Sequence, residues 1–282
     1  TPSLLASLQP LLLPILPKHI YDDGQDMKTH PRNNKDVVGS GPFILTENKP
    51  GESIVLVRNR NFFIPGRPYL DQIVIQSSRD SSSQILKLDR GQIDYYPFAF
   101  IAPHDAQRLQ KNKNVFVTFE GNEALGGVRY FEYNLRKKPF NDLRVRQAIA
   151  YAIDDNKHST LLGAAGVPAA SIIHSGSPYH SNKTRDYPTD LGKAKALLDE
   201  AGYKVGNDGM RFSFTLDMPT YAKPQMKISS EYLKARLKEV GIDVQLRRSP
   251  DFGTWVKRIS SWEYDATING IWGYSDPVIG VH

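Results

Sequence analysis

The side chains that could perform covalent or acid-base chemistry are few and scattered along the 282 residues. There is no cysteine, which excludes disulfides, thiolate metal ligands and a cysteine nucleophile. Gly39-Ser40-Gly41 lacks the third glycine of a dinucleotide-binding loop, and no nucleophile elbow or phosphate-binding loop occurs. His104-Asp105 begins a predicted helix, where a surface cap is a more common role than a catalytic pair. We therefore expect no enzymatic activity and no cofactor.

A metal site is also poorly supported by the sequence. The seven histidines do not recur at the i, i+4 spacing that places two ligands on one helix face. His174 and His180, the closest pair, lie in a segment rich in serine and proline. Without cysteine or a regular histidine pair, we expect no metal site.

The composition is that of a folded chain large enough for two lobes. Hydrophobic residues make up 40% and aromatic residues 10% of the chain. The net charge of +6 lies in dispersed groups such as Arg136-Lys137-Lys138 and Arg247-Arg248, which favours a solvated surface over a nucleic-acid partner. The apolar run 11–16 contains Pro14 and is too short to span a bilayer. No basic region precedes an apolar core at Thr1, so we expect a mature, processed or truncated chain.

The elements that would position a site alternate between strands and helices. In the first part of the chain, β-rich runs at residues 43–45, 54–57 and 73–75 are separated by turns containing Pro50-Gly51 and Pro65-Gly66. A helix is predicted over 81–90, ending at Gly91, and a second helix begins near Pro103. Further short strands are predicted at 93–96 and 115–119.

After Gly126-Gly127 the pattern restarts with a strand over 128–135, whose alternate side chains face opposite sides. Asp142 is predicted to cap a helix with an apolar stripe reaching Ile153. Two further helices end at Gly202 and Gly241, and strands follow them at 212–216 and 242–246. A short helix at 255–259 and a strand at 264–272 complete the series. This alternation predicts an α/β fold in two lobes, with the change from the first lobe to the second near Gly126-Gly127.

Four groups of residues, taken in order, carry a family resemblance. They are Val38-Gly39-Ser40-Gly41-Pro42-Phe43 with Pro68-Tyr69-Leu70-Asp71; Gly91-Gln92-Ile93-Asp94; Tyr133-Asn134-Leu135 with Pro139-Phe140-Asn141-Asp142 and the run 144–154; and Gly241-Ile242-Asp243-Val244 with Trp272-Gly273 and Asp276-Pro277. In this order and spacing, the chain resembles the family 5 extracellular solute-binding proteins, which include dipeptide-, oligopeptide- and nickel-binding proteins. The resemblance extends over nearly the whole chain, and family members begin before Thr1 and continue past His282.

The resemblance implies a fold, a function and partners. The fold is α/β, of the two-lobed periplasmic binding protein type II-like class, with residues 1–125 as part of lobe I and residues 126–282 as most of lobe II. The implied function is the substrate-binding component of an ABC importer, which captures a peptide or peptide-like solute between two lobes and delivers it to the membrane permease. We expect a monomer in the periplasm or, in a Gram-positive organism, outside the cell on a lipid anchor.

The same resemblance implies a set of ligand-binding residues. The segment after the last strand supplies Trp272, Tyr274 and Asp276, and Phe252 matches a ligand-facing aromatic of the family. Tyr130 and Asn134, at the lobe junction, are further candidates. Five of these residues also have a structural interpretation: Phe252 and Trp272 as core aromatics, Asp276 as a turn residue before Pro277, and Tyr130 and Asn134 as ordinary strand residues.

One departure from the family's pattern bears on the ligand. Peptide-binding relatives place an aspartate shortly after the Trp-Gly region to pair with the amino terminus of the ligand, and Gly273 or Tyr274 stands at that position here. An unpaired buried cation is costly. We therefore hypothesise that the natural ligand lacks a free α-ammonium group or has it held elsewhere.

Two alternatives to a peptide carrier stay open at this point. One is a nickel or metal-chelate carrier of the same family, which metal analysis would reveal. The other is a hydrolase built on a binding-protein scaffold, which would need a nucleophile and a base brought together by the fold. No segment of the sequence indicates such a pair.

Overall fold

The computed structural model describes residues 15–33, 35–78, 80–97, 101–118, 120, 127–163, 167–181, 183–184, 186–220 and 223–272. The chain divides into two compact units, Thr1–Lys87 and Leu88–His282. This division falls earlier than the lobe change predicted near Gly126-Gly127, and Gly126 lies outside the described residues, so the lobe boundary stays a prediction. Over the described ranges, no helix combines the length and apolar character needed to cross a membrane.

The first unit is built on an antiparallel sheet of three strands in the order β1-β2-β3. They are β1 (Phe43–Lys49), β2 (Ser53–Arg58) and β3 (Gln72–Gln76), which confirms the three strands predicted here. The turn between β1 and β2 reverses the chain at Gly51, whose φ of 81° lies in the region open to glycine. A single helical turn, α1 (Lys18–Tyr21), and a short 3₁₀ helix (Pro31–Asn33) precede the sheet.

Two predicted strands after this sheet are not formed. Helices α2 (Ser81–Asp89) and α3 (Pro103–Gln110) occur as predicted, but residues 93–96 and 115–118 have no strand pairing, and Phe119 lies outside the described residues. A strand is stable only beside a hydrogen-bonding neighbour. No such neighbour lies beside these runs within the described ranges, so their β-propensity alone does not make them strands.

The second unit contains a mixed sheet of four strands in the order β4-β7-β5-β6. β4 (Gly127–Tyr133) is antiparallel to β7 (Ala266–Trp272), whereas β5 (Phe212–Met218) is parallel to both β7 and β6 (Ile242–Arg248). Parallel strands need crossover connections. Helices α7 (Lys223–Lys238) and α8 (Phe252–Ser260) supply them, and α4 (Leu143–Ala152), α5 (Asp155–Leu162) and α6 (Leu191–Glu200) also belong to this unit.

One side of this sheet, which we call the core face, carries the hydrophobic core. Phe214 and Leu216 alternate along β5 and are buried, as expected for a strand with one covered face. Val145 and Ile149 of α4 and Leu237 of α7 are fully buried in the same cluster. Burying each such aliphatic side chain contributes about 1.5–3 kcal/mol. This packing holds α4 and α7 on the core face and confirms the predicted apolar stripe of α4.

The ends of α4 and α6 occur at the capping and glycine residues that the sequence predicts. Asp142 and Asp190 accept hydrogen bonds from the backbone N–H groups of Arg144 and Lys193, at 2.8 and 2.9 Å, and so cap α4 and α6. Gly202 follows α6 with a φ of 88°, a conformation that ends helices and suits glycine. The boundaries of α4 and α6 are therefore set by local chemistry.

Candidate functional site

The chain topology marks one edge of the second sheet as the place for a ligand. The chain runs from β5 through α7 to β6, which lies on one side of β5. It then runs from β6 through α8 to β7, which lies on the other side of β5. α7 packs on the core face, whereas α8 lies on the opposite face, where Trp255 Nε1 donates to Thr267 Oγ1 at 3.1 Å. In open α/β sheets, ligands bind outside the carboxyl ends of the strands at such a switch in strand order. The candidate site therefore lies outside the carboxyl ends of β5 and β7.

β4 and β7 extend past the carboxyl end of β5 at this place. β5 ends at Met218, and the preceding residue Asp217 pairs with Thr267. Residues 269–272 of β7 therefore continue beyond β5, paired with residues 127–130 of β4. We call these two segments the β4–β7 ribbon. Its side chains stand at the edge where the topology places a ligand.

Trp272 and Tyr130, two of the predicted site residues, lie on opposite faces of the β4–β7 ribbon. Trp272 pairs with Gly127, and a β-carbon built on Gly127 would lie only 2.8 Å from Cζ3 of Trp272, so the indole covers this glycine. By alternation, Trp272 shares the side of the core face and is 42% exposed. Tyr130 pairs with Asn269 and points to the other side. The structure thus brings both residues to one edge but separates them by the ribbon itself.

Phe252 is the first residue of α8 and lies just past the carboxyl end of β6. The cap residue Asp251 precedes it and accepts a hydrogen bond from Thr254 N at 2.7 Å. The Phe252 side chain is 53% exposed, and its ring centroid lies 5.5 Å from that of Trp255. This exposure argues against a role as a core aromatic. Its contact with a ligand stays a prediction.

Asn134 makes the contacts of a structural residue. It is 1% exposed, and its Nδ2 donates to the carbonyl oxygens of Trp262 and Tyr264 at 3.0 and 2.7 Å. Its Oδ1 accepts a hydrogen bond from Arg136 N at 3.1 Å. Both amide hydrogens are therefore engaged in holding the turn before β7 against the end of β4. Of the two interpretations of Asn134, these bonds support the structural one.

Tyr274 and Asp276 lie outside the described residues, as does Gly273. The ligand contacts predicted for Tyr274 and Asp276 therefore stay predictions. The same holds for the replacement of the amine-binding aspartate, which rests on the sequence alone.

A row of polar side chains that sequence reasoning missed crosses the sheet on the face opposite the core. The strand register places Glu132, Thr267, Asp217 and Arg247 side by side, and we call this set the polar row. Asp217 is fully buried and accepts hydrogen bonds from Arg247 Nε and Nη2 at 2.8 and 2.7 Å and from Arg258 Nη1 at 2.7 Å. Two guanidinium groups therefore neutralise this carboxylate, and Arg258 also fastens α8 to the sheet. The alternation along β5 was the available signal, because it turns Asp217 away from the core.

Glu132, at the β4 end of the polar row, differs from Asp217 in its hydrogen-bond partners. Its Oε1 accepts a hydrogen bond from the Tyr264 hydroxyl, and its Oε2 accepts one from Asn269 Nδ2, both at 2.8 Å. Neither donor is charged, and among the described residues no lysine or arginine nitrogen lies within 4.0 Å of this carboxylate. Burial, followed by the bond to Glu132, raises the pKa of Tyr264, so its hydroxyl is a donor at neutral pH.

The structure contains a serine–histidine pair, but it is a contact between helices. His158 Nε2 of α5 lies 2.8 Å from Ser229 Oγ of α7. Burial, with a smaller contribution from the charge of Arg129, lowers the pKa of His158. Ser229 is only 4% exposed, so its hydroxyl is closed to a substrate. The pair therefore gives no support to the hydrolase alternative.

The other histidines noted in the sequence make separate contacts and do not form a common site. His104 lies in the first turn of α3 and has a largely exposed side chain beside Asp105. The N-cap residue of this helix is Ala102, and within the described residues no side chain caps it, so the predicted surface cap is not formed. His180 Nδ1 lies 2.8 Å from the carbonyl oxygen of Ile173. Within the part of the chain that the structure describes, no three histidine, aspartate or glutamate side chains converge to hold a metal ion.

Comparison with known proteins defines the class to which this fold and site belong. Residues 3–280 match the bacterial extracellular solute-binding proteins, family 5 Middle, and the chain belongs to this family. The oligopeptide-binding protein AppA of Bacillus subtilis (strain 168) is 31% identical over 276 residues, which are 93% of this chain and 49% of that protein. The dipeptide-binding protein of Escherichia coli (strain K12) is 27% identical, over 94% of this chain and 48% of that protein.

A solved structure supports the same assignment at the level of the fold. The ABC transporter-associated periplasmic binding protein DppA from Helicobacter pylori, in complex with the peptide STSA, has a TM-score of 0.80 at 26% identity and is matched over 95% of this chain and 50% of its own. The predicted α/β class, periplasmic binding protein type II-like, is confirmed. The chain spans about half the length of the relatives it matches, and the names of these relatives describe binding proteins rather than enzymes.

Proposed function

We propose that the chain is part of the substrate-binding component of an ABC importer, which captures a peptide or peptide-like solute between two lobes and delivers it to a membrane permease. The observation that carries this proposal is the family match over residues 3–280. In this role the protein works outside the cytoplasm, in the periplasm or on a lipid anchor. It acts as a monomer and binds its solute without chemical conversion.

The edge strand β4 supports a ligand with a peptide main chain. In the described part of the second sheet, β4 is the outer strand, so one side of its backbone is not paired within that sheet. Backbone N–H and C=O groups on such an edge can pair with an extended peptide whatever its side chains are. Tyr130 on this strand and Trp272 beside it add aromatic surface at the same edge. Main-chain capture of this kind suits a carrier with many substrates.

The experiment that tests the proposal uses the full-length gene product, purified without added ligand. We expect native mass spectrometry to show a bound peptide-like solute, and calorimetry after mild unfolding and refolding to show binding of short peptides. Replacing Trp272 by alanine removes its aromatic contact and is expected to weaken binding about tenfold or more.

Trp262 supplies a matched control, because it is exposed to the same extent, 42%, but lies before the amino end of β7. Trp262→Ala should leave peptide affinity unchanged. Purified protein that carries a stoichiometric metal ion, or that cleaves the peptides it binds, would overturn the proposal in favour of a metal carrier or a hydrolase. A protein that neither retains nor binds a peptide would refute it outright.

A further inference from the structure

The two carboxylates of the polar row differ in their charge balance. Asp217 is fully buried, and Arg247 and Arg258 neutralise its charge with three hydrogen bonds. Glu132 lies in the same row, two strands away, at the outer edge of the sheet. It is partly buried, yet among the described residues its hydrogen-bond partners are the neutral donors Tyr264 and Asn269. A partly buried negative charge without a cation is costly unless something compensates it.

The surroundings of Glu132 hold its carboxylate in a defined position. The Asn269 amide is oriented by its own chain, because its Oδ1 accepts the Gly270 N–H at 2.8 Å, which directs Nδ2 to Glu132. Tyr264 is 2% exposed, so its hydroxyl is fixed by packing. A carboxylate has about four acceptor positions. Described residues occupy two of these positions, which leaves acceptor capacity on a preoriented anion.

Glu132 also lies close to the candidate site. It follows Tyr130 by two residues, so both side chains stand on the same face of β4. Tyr130 pairs with Asn269, the residue that orients Glu132, and it is near enough to influence the ionisation of the Tyr264 hydroxyl. One anion and two tyrosines therefore meet beside the β4–β7 ribbon. Carboxylates and aromatic rings are the groups that proteins use to hold organic ammonium ions.

We propose that Glu132, oriented by Tyr264 and Asn269 and flanked by Tyr130, is the acceptor for an ammonium group of the transported solute. This inference rests on the proposed function and adds the charge of the substrate to it. The ammonium group has two possible sources, the amino terminus of a peptide or the side chain of a lysine. Either source would form a charge-assisted hydrogen bond, which no described residue provides to Glu132.

The test uses the full-length protein and two pairs of peptides, measured by calorimetry. One pair is tetraalanine with a free and with an acetylated amino terminus, and the other is acetylated Ala-Lys-Ala-Ala and its norleucine analogue. We expect the wild-type protein to bind the ammonium-bearing member of one pair about tenfold to a hundredfold more tightly. The pair that shows the difference identifies the source of the ammonium group.

Glu132→Gln removes the charge while keeping an amide that can bond both Asn269 and Tyr264, and it should abolish the preference between the two members of that pair. Glu231→Gln on the exposed side of α7 is the control and should retain the preference. Circular dichroism verifies that both variants are folded. A wild-type protein that binds both members of each pair equally would overturn this inference and leave the proposed function standing. A wild-type protein that binds none of the four peptides would overturn both.

Discussion

Replacing Asp217 by asparagine removes the central charge of the polar row and is expected to destabilise the second unit by about 3 kcal/mol. Breaking a buried ion pair on one side costs about 3–5 kcal/mol, because the remaining charge loses its partner. Asp217 is fully buried, whereas the side chains of Arg247 and Arg258 are 39% and 20% exposed. Both arginines can regain water after the substitution. We therefore place the loss at the lower end of the range.

Urea unfolding followed by tryptophan fluorescence is a suitable assay for this loss. All three tryptophans, Trp255, Trp262 and Trp272, belong to the second unit, so the signal reports on the unit that contains Asp217. Asp94→Asn provides a matched control in the same unit, since Asp94 is exposed, and it should change the free energy of unfolding by less than about 0.5 kcal/mol. A loss below about 1 kcal/mol for Asp217→Asn would refute the view that this ion-pair cluster fastens α8 to the sheet.

Three further predictions follow from single contacts. Asn134→Ala removes the side-chain donor to the carbonyl oxygens of Trp262 and Tyr264. We expect the free energy of unfolding in urea to fall by roughly 1–3 kcal/mol, and an unchanged midpoint would contradict the structural role. Gly127→Ala places a methyl group against the indole of Trp272. This contact should shift the fluorescence of Trp272 and weaken peptide binding. An unaltered spectrum would show that the ring lies elsewhere. Hydrogen bonds from Arg144 hold the pKa of Asp142 below its ordinary value of 3.8; its carboxylate therefore stabilises the fold above that value and ceases to do so as the pH falls through the lowered pKa. Asp142→Asn should accordingly be less stable than the wild type at neutral pH, and the difference should shrink as the pH falls below 3.8. A difference independent of pH would contradict this.

Local patterns predicted many of the elements that build the site. The stripe on α4, the aspartate caps of α4 and α6 and the alternation on β5 were all confirmed, because each depends on residues only a few positions apart. The strands predicted at 93–96 and 115–119 failed for the opposite reason. A strand depends on a neighbour elsewhere in the chain, and propensity contains no information about that neighbour.

The face on which each candidate residue lies could not be predicted from such patterns. The sequence placed Trp272 and Tyr130 in one site, but the register of β4 with β7 puts them on opposite sides of the ribbon. The bonds that engage Asn134 come from residues 128 and 130 positions away. These assignments depend on strand pairing over long separations, where a shift of one residue reverses every side chain.

By itself, the sequence determined the α/β class, the boundaries of α4 and α6 and the family, since these rest on periodicity, caps and ordered motifs. Only the tertiary structure showed that Asp217 and Glu132 share one row but differ in charge balance. Glu132 and Asn269 are 137 positions apart and meet only because β7 inserts between β4 and β5. Whether a carboxylate is neutralised or open to a ligand depends on which strands become neighbours, and that is decided when the sheet assembles.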